Sequence, residues 1–311
     1  MQVQKANSLS QPAAGRTSWQ TGWQLFRPHT LTASFVPVTI GTALALPDGP
    51  LHFDLFLIML AASILIQAST NMFNEYFDFK RGLDHAGSVG IGGAIVRDGM
   101  QPKLVLRLAL SLLGIAFLLG LILCFRTTWW LLPVGLACAV IGYLYSGGPA
   151  PISATPFGEL VAGISMGLVI IAISFFLQTG MVALKAVLVS IPTSVLIGAI
   201  LMANNIRDLE DDKKNGRRTL AILLNREKAT YFLTGMFAFS YLWIILLIFS
   251  GIVSPWALTS FASLPLAVQA AKGFFRHTTP ETLMPAMVAT AKTNTLFGFF
   301  LSAGLVFQYL L

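Results

Sequence analysis

The chain has 311 residues, 55% of them hydrophobic and 11% charged, with a mean hydropathy of +0.74 and a formal net charge of +7. Soluble domains carry roughly a quarter charged residues, so this composition excludes a water-soluble globular protein and points to one embedded in lipid. A cationic excess would suit a nucleic-acid binder, but where the cations fall decides against it.

A polar segment, residues 1–26, leads into one membrane domain over 27–311. Apolar runs near the ~20 residues that cross a bilayer as helix cover about 27–46, 54–77, 104–125, 128–146, 157–178, 183–207, 228–250, 255–271 and 292–311. They are continuous, whereas the strands of a lipid-facing barrel alternate. The predicted fold class is therefore all-α, a polytopic membrane protein of nine transmembrane helices. The run "GTALAL" closing the first stretch resembles a signal-peptidase site. The polar leader is too long for a signal, however, and Arg27-Pro28 opens the helix, so the run is read as a span.

All of the 20 Lys and Arg residues except Arg126 and Lys185 fall before the first stretch or at its start, or in the even-to-odd connections. The positive-inside rule then places the N-terminus and those connections in the cytoplasm and the C-terminus outside the cell membrane. Cys124 and Cys138 lie within or at the edge of apolar runs without metal-ligand spacing and are read as small core residues. The four histidines, His29, His52, His85 and His277, show no pairing that suggests a metal centre.

The second apolar run ends in "NMFNEYFDFKRGLD", where Asn71, Asn74 and Asp78 are spaced i, i+3, i+7 and share one helix face. The sixth ends in "NNIRDLEDDKKNGRRTLA", where Asn205, Asp208 and Asp212 repeat that spacing. Two separated segments thus present amides and carboxylates at the same membrane face. Hard oxygen ligands of this kind hold Mg²⁺, which keeps several waters and binds through one or two carboxylates plus substrate phosphates. Flanking cations could neutralise the phosphate oxygens: Lys80, Arg81 and Arg97 beside the first cluster, and Arg207, Lys214, Arg217 and Arg218 beside the second. The bland reading is a pair of polar helix ends anchored by snorkelling cations; the coincidence of two clusters argues for function. Between them, "YLYSGGPAPISATPFGEL" breaks the helix at Gly147, Gly148, Pro149 and Pro151, with Tyr143 and Tyr145 beside the break. A cation-coupled transporter is the competing class. It favours sites near the bilayer midplane, whereas both clusters here close helices at one face.

"NEYFDFKRGLD" and "NNIRDLEDDKKNGRRTLA" resemble the first and second Asp-rich motifs of the UbiA superfamily of intramembrane prenyltransferases. Gly82-x-Asp84, "YSGGPAPI" and "FRPHTLTASFVPVTIGTALA" are similar to the branch that prenylates 1,4-dihydroxy-2-naphthoate for menaquinone, and the resemblance runs from about Arg27 to the C-terminus. Glu75 departs from it, standing where the family has Asp, which leaves its contact with metal open. The resemblance implies nine spans around a central cavity, capped by cytoplasmic loops, and Mg²⁺ as cofactor. It implies transfer from an allylic polyprenyl diphosphate to 1,4-dihydroxy-2-naphthoate with decarboxylation. Other acceptors used in the superfamily are 4-hydroxybenzoate, homogentisate, haem and chlorophyllide. Carried over residue by residue, Asn74, Asp78 and Asp84 form the first metal site and Asp208 and Asp212 the second, with Asn71 and Asn205 orienting neighbours. Lys80, Arg97, Arg207 and Arg218 meet the diphosphate, Arg27 the diphosphate or the acceptor carboxylate, and Tyr145 lines the acceptor pocket. The implied partners are these two substrates and the lipid bilayer, with no nucleic acid.

Overall fold

A computed structural model describes residues 18–27, 30–83 and 93–311, and among these every regular element is helical. The short helix α1 (Ser18–Leu25) forms inside the polar leader. It is followed by α2 (Thr32–Ala45), α3 (Phe53–Lys80), α4 (Pro102–Arg126) and α5 (Leu131–Ser146). Helices α6 (Gly158–Ala162) and α7 (Ile170–Thr179) join through a π-helical segment, Gly163–Val169, into one continuous rod. Then come α8 (Leu184–Arg207), α9 (Leu209–Lys214), α10 (Leu220–Phe249), α11 (Leu264–Arg276) and α12 (Pro280–Leu310).

Five helical rods are long and apolar enough to cross a membrane: Phe53–Lys80, Pro102–Arg126, Gly158–Thr179, Leu184–Arg207 and Leu220–Phe249; Leu131–Ser146 is a shorter apolar helix. Helix boundaries differ from the apolar runs in several places: α2 starts at Thr32 and α11 at Leu264, after a 3₁₀ stretch from Pro255. Helix α10 is broken at Asn225 (φ 60°, ψ 163°), which separates a short helical stretch beginning at Leu220 from the long helix that follows, so the spanning part starts close to the expected 228. Helix α12 begins at Pro280, where proline suits the first turn, and it carries Lys292 within its length. A charged residue ends an apolar run without ending a helix.

The main core joins α2, α7, α8, α10, α11 and α12 through Ile40, Phe175, Leu196, Met202, Leu233 and Phe297, all essentially inaccessible. A second cluster, with Leu25, Met72, Phe73 and Val105, binds α1 and α4 to the motif-bearing end of α3. Between apolar helices in lipid, close packing replaces the hydrophobic drive, and small residues permit it. On the π segment, a Cβ on Gly163 would lie 2.5 Å from the Ser194 carbonyl oxygen and one on Gly167 2.3 Å from Ser194 Oγ. The rod Gly158–Thr179 therefore lies directly against α8. At the end opposite the motifs, Arg126 pairs with Asp54 and Lys185 with Asp48. These are the two cations that the sequence set apart from the other eighteen.

Candidate active site

A cavity of about 950 Å³ runs between the helices. Its apolar length is lined by residues such as Met59, Leu113, Phe117, Leu132, Ile173 and Ile200, and its polar end by both motifs. Asn74, Asp78, Tyr145, Asp208, Asp212, Arg27, Arg97 and Arg207 all line it, as do Asn71 and Asn205. Asp84 lies outside the described residues. Lys80 and Arg218 are exposed and are not part of the cavity wall. Arg218 instead donates its backbone N–H to the Ala154 carbonyl at 2.9 Å, tying the second motif's loop to the turn after α5.

The first motif is braced by the turn before α2. Asn71 Nδ2 donates to the Phe26 carbonyl at 2.9 Å and to Thr30 Oγ1 at 2.8 Å. Arg27 has a left-handed backbone, φ 50°, a conformation that costs a non-glycine residue ~1–2 kcal/mol and clusters at functional sites. Contacts at both ends of the residue offset it. The Arg27 carbonyl accepts from Thr30 N and Oγ1, while its guanidinium donates to Asn74 Oδ1 at 2.9 Å and Glu75 Oε2 at 3.1 Å.

Glu75 is 2% exposed and does not line the cavity. Besides Arg27, its carboxylate accepts from the Gly93 backbone N–H at 2.8 and 3.0 Å and from Ile95 N–H at 3.3 Å. It is the anchor of the segment that carries Arg97. Asn74 has both edges engaged as well, because its Nδ2 donates to Ser146 Oγ at 3.3 Å. Arg81 completes this end by donating to the carbonyls of Ser146 at 2.6 Å and Gly148 at 2.9 Å, satisfying acceptors that the end of α5 leaves open. Tyr143 packs edge-on against Phe73 and Phe77 and does not line the cavity, whereas Tyr145 lies within electrostatic reach of Asp78, Glu159 and Arg217.

The second motif is organised by Arg207 and Arg217. Arg207 grips the Asp208 carboxylate with Nε and Nη2, both at 2.6 Å. Arg217 donates to Asp212 Oδ1 at 2.9 Å and lies 3.7 Å from Asp78 Oδ1, so one guanidinium joins the two motifs. Sequence reasoning noted Arg217 only as one cation among four. Its signal was Gly216, whose left-handed backbone (φ 74°) turns the chain back so that Arg217 N–H reaches the Asp212 carbonyl at 3.0 Å. Burial raises the pKa of Asp212, and the nearby Arg217 only partly offsets that. Burial alone would lower the pKa of Arg217, but Asp212 and Asp78 outweigh it, so the guanidinium stays charged.

Among the described residues, no three or more His, Cys, Asp or Glu side chains gather into a metal cage. What is present is a set of separate carboxylates on one cavity wall, with Asp212 Oδ2 buried and lacking a hydrogen-bond partner. That set fits Mg²⁺ arriving with phosphate oxygens and water better than a metal held by protein alone.

A model described as the UbiA prenyltransferase family matches residues 34–304. The chain is 55% identical, over 92% of both chains, to the 1,4-dihydroxy-2-naphthoate octaprenyltransferase of Bacillus subtilis. Its fold matches the apo structure of a UbiA homologue from Aeropyrum pernix K1 with a TM-score of 0.68 at 16% identity, covering 90% of this chain and 98% of that one. It also matches a UbiA homologue from Archaeoglobus fulgidus bound to DMAPP and Mg²⁺, with a TM-score of 0.56 at 16% identity over 90% and 98% of the two chains.

Proposed function

We propose that this chain, which belongs to the UbiA prenyltransferase family, transfers a polyprenyl group from an allylic polyprenyl diphosphate to 1,4-dihydroxy-2-naphthoate, with loss of the acceptor's carboxylate. The observation that carries the reading is the 55% identity, over 92% of each chain, to the Bacillus subtilis enzyme named for that acceptor. The geometry is consistent with it. A long apolar cavity suits an isoprenoid tail, and its polar end suits a diphosphate.

In this reading the diphosphate would lie between the motifs, within reach of Arg97, Arg207 and Arg217, and Asp78, Asp208 and Asp212, together with Asp84, would hold Mg²⁺. Bound Mg²⁺ would stabilise the charge growing on the leaving group as a Lewis acid. The allylic C–O bond breaks with its electron pair going to the diphosphate, and the cationic side chains meet that charge as it develops. A ring carbon enriched by two hydroxyls attacks the allylic carbon. The bond to the carboxyl carbon then breaks, its electrons restore the ring, and carbon dioxide leaves in place of a proton. The apolar wall keeps water from capturing the cation. Tyr145, which lines the cavity, would face the acceptor.

The same reading takes the nine apolar stretches as nine spans of the cell membrane, with the motif end and residues 1–26 in the cytoplasm and the C-terminus outside. The test is incubation of the purified protein with a labelled allylic prenyl diphosphate and carboxyl-labelled 1,4-dihydroxy-2-naphthoate. Label should leave as carbon dioxide in step with prenylation. Preference for 4-hydroxybenzoate, with the carboxylate retained, would overturn the acceptor.

A further inference from the structure

The polar end of the cavity has a carboxylate behind it that the reaction above does not use. Glu159, in the first turn of α6, is 5% exposed and does not line the cavity. Its Oε1 accepts one hydrogen bond, from Asn205 Nδ2 at 2.8 Å, and its Oε2 is buried without a hydrogen-bond partner. A buried carboxylate with a single side-chain partner is costly, and such a group in a native fold calls for an explanation.

The explanation lies in what a carboxylate can do to an amide. The hydrogen bond between them runs from Asn205 Nδ2 to Glu159 Oε1, so it is the NH₂ edge of the amide that faces Glu159. The carbonyl oxygen, on the other branch of the same planar group, is thereby turned away from Glu159. Asn205 lines the cavity, and no donor to its Oδ1 is found among the described residues. The amides of the first motif differ, because the oxygens of both Asn71 and Asn74 accept from side chains, at 3.3 Å from Gln67 Nε2 and 2.9 Å from Arg27 Nη1. The spacing between Glu159 and Asn205 is also held by backbone packing. A Cβ on Gly198 of α8, about two turns from Asn205, would lie 3.1 Å from the Glu159 carbonyl oxygen, so α6 and α8 are already in close contact beside the pair.

We propose that Glu159 is a positioning residue for the second motif. Through its hydrogen bond to Asn205 it fixes which edge of that amide faces the cavity, presenting a carbonyl oxygen, a hard ligand, to the metal that accompanies the diphosphate. The proposal rests on the prenyl-transfer reading, since it takes a metal-bound diphosphate as the occupant. A carboxylate that served only the positive end of helix α6 would affect stability and leave metal dependence untouched, which gives the test its leverage.

The experiment measures, by calorimetry in detergent, how much Mg²⁺ is needed for inorganic diphosphate to bind, alongside thermal unfolding of each variant. Glu159→Gln replaces an acceptor-only group with one that also donates and so lets the Asn205 amide turn over. It should raise the half-saturating Mg²⁺ concentration about 10-fold, the lower end of what outer-shell partners contribute, with little change in unfolding temperature. Asn205→Ala should raise it comparably, and Glu159→Gln added to Asn205→Ala should change it no further, the signature of two residues acting as one unit. Glu159→Asp withdraws the acceptor by one methylene and should shift Mg²⁺ dependence in the same direction, serving if the glutamine variant does not fold. An unchanged Mg²⁺ requirement in the Glu159 variants, or a full effect of Glu159→Gln in the Asn205→Ala background, would overturn the proposal. Absence of Mg²⁺-dependent diphosphate binding by the unaltered chain would overturn the functional reading and this proposal with it.

Discussion

Arg217 is the side chain whose removal the structure makes most informative. Arg217→Met keeps much of the length of the side chain and removes the charge that joins Asp212 to Asp78. Asp212 is 6% exposed and already has one oxygen without a hydrogen-bond partner, so it could not remain ionised unaided. The folded protein would answer by protonating it. Protonating an ordinary aspartate at pH 7 costs about 4 kcal/mol, three pKa units at 1.36 kcal/mol each, which is the ceiling. Burial has already raised the Asp212 pKa, and methionine avoids the desolvation that arginine suffers, so a net loss of about 1–3 kcal/mol is expected. The sign with pH follows. A carboxyl whose folded pKa lies above its unfolded value costs nothing below the unfolded pKa, and the folded state loses stability as pH rises through the folded one. The variant raises that folded pKa further, so the gap between wild type and variant should be largest at pH 7 and above and should close toward pH 4. Thermal unfolding in detergent across that range, without metal or substrate, reads it directly. A gap that stays constant with pH, or no destabilisation at all, would refute the assignment of Arg217 as the counter-charge of Asp212.

Asp78→Ala and Asp208→Ala should each lower turnover by ~10²–10³ in a labelled prenyl-transfer assay, the scale of losing one electrostatic stabiliser, while the protein still folds; near-normal activity in either would sink the paired-motif account. Glu75→Ala removes the acceptor for the Gly93 and Ile95 backbone N–H groups, so hydrogen exchange at those two amides should accelerate roughly 10- to 100-fold, equivalent to 1.4–2.8 kcal/mol. Exchange there at the wild-type rate would show that the segment is held by something else. A reporter fused after Leu311 should read as external and one inserted after Asn215 as cytoplasmic, and agreement between the two would require an even number of spans.

The helices were legible because their apolar runs are long and uninterrupted, and the motif faces because a spacing of i, i+3, i+7 admits one geometry on a helix. Less legible were the helix starts. Helix α1 lies within what composition marks only as a polar leader, and α10 and α12 extend through charged positions such as Arg226 and Lys292. Within the site, composition could not rank neighbouring cations. Arg217 and Arg218 are adjacent and chemically identical, yet one is half-buried between two carboxylates and the other is exposed. The left-handed turn at Gly216 decides between them, and a turn of that kind is a backbone property that charge counting does not register.

The same limit explains why two motifs with equal spacing come to differ in what holds them. Periodicity along a helix fixes which residues share a face, but the partner of each side chain comes from elsewhere in the chain. Asn71 and Asn74 are met by the 26–30 turn and by Ser146, Glu75 by Gly93 and Ile95, and Asn205 by Glu159. Each of these partners is at least 18 residues distant in sequence. The first motif is consequently braced by the Phe26 carbonyl, the Thr30, Ser146 and Gln67 side chains and the Arg27 guanidinium, which together occupy both edges of its amides. In the second, beside the guanidiniums of Arg207 and Arg217 on its carboxylates, one buried carboxylate occupies a single edge of Asn205, whose oxygen accepts no hydrogen bond among the described residues. The sequence repeat therefore supplies two similar faces, and the non-repeating segments make them chemically unequal.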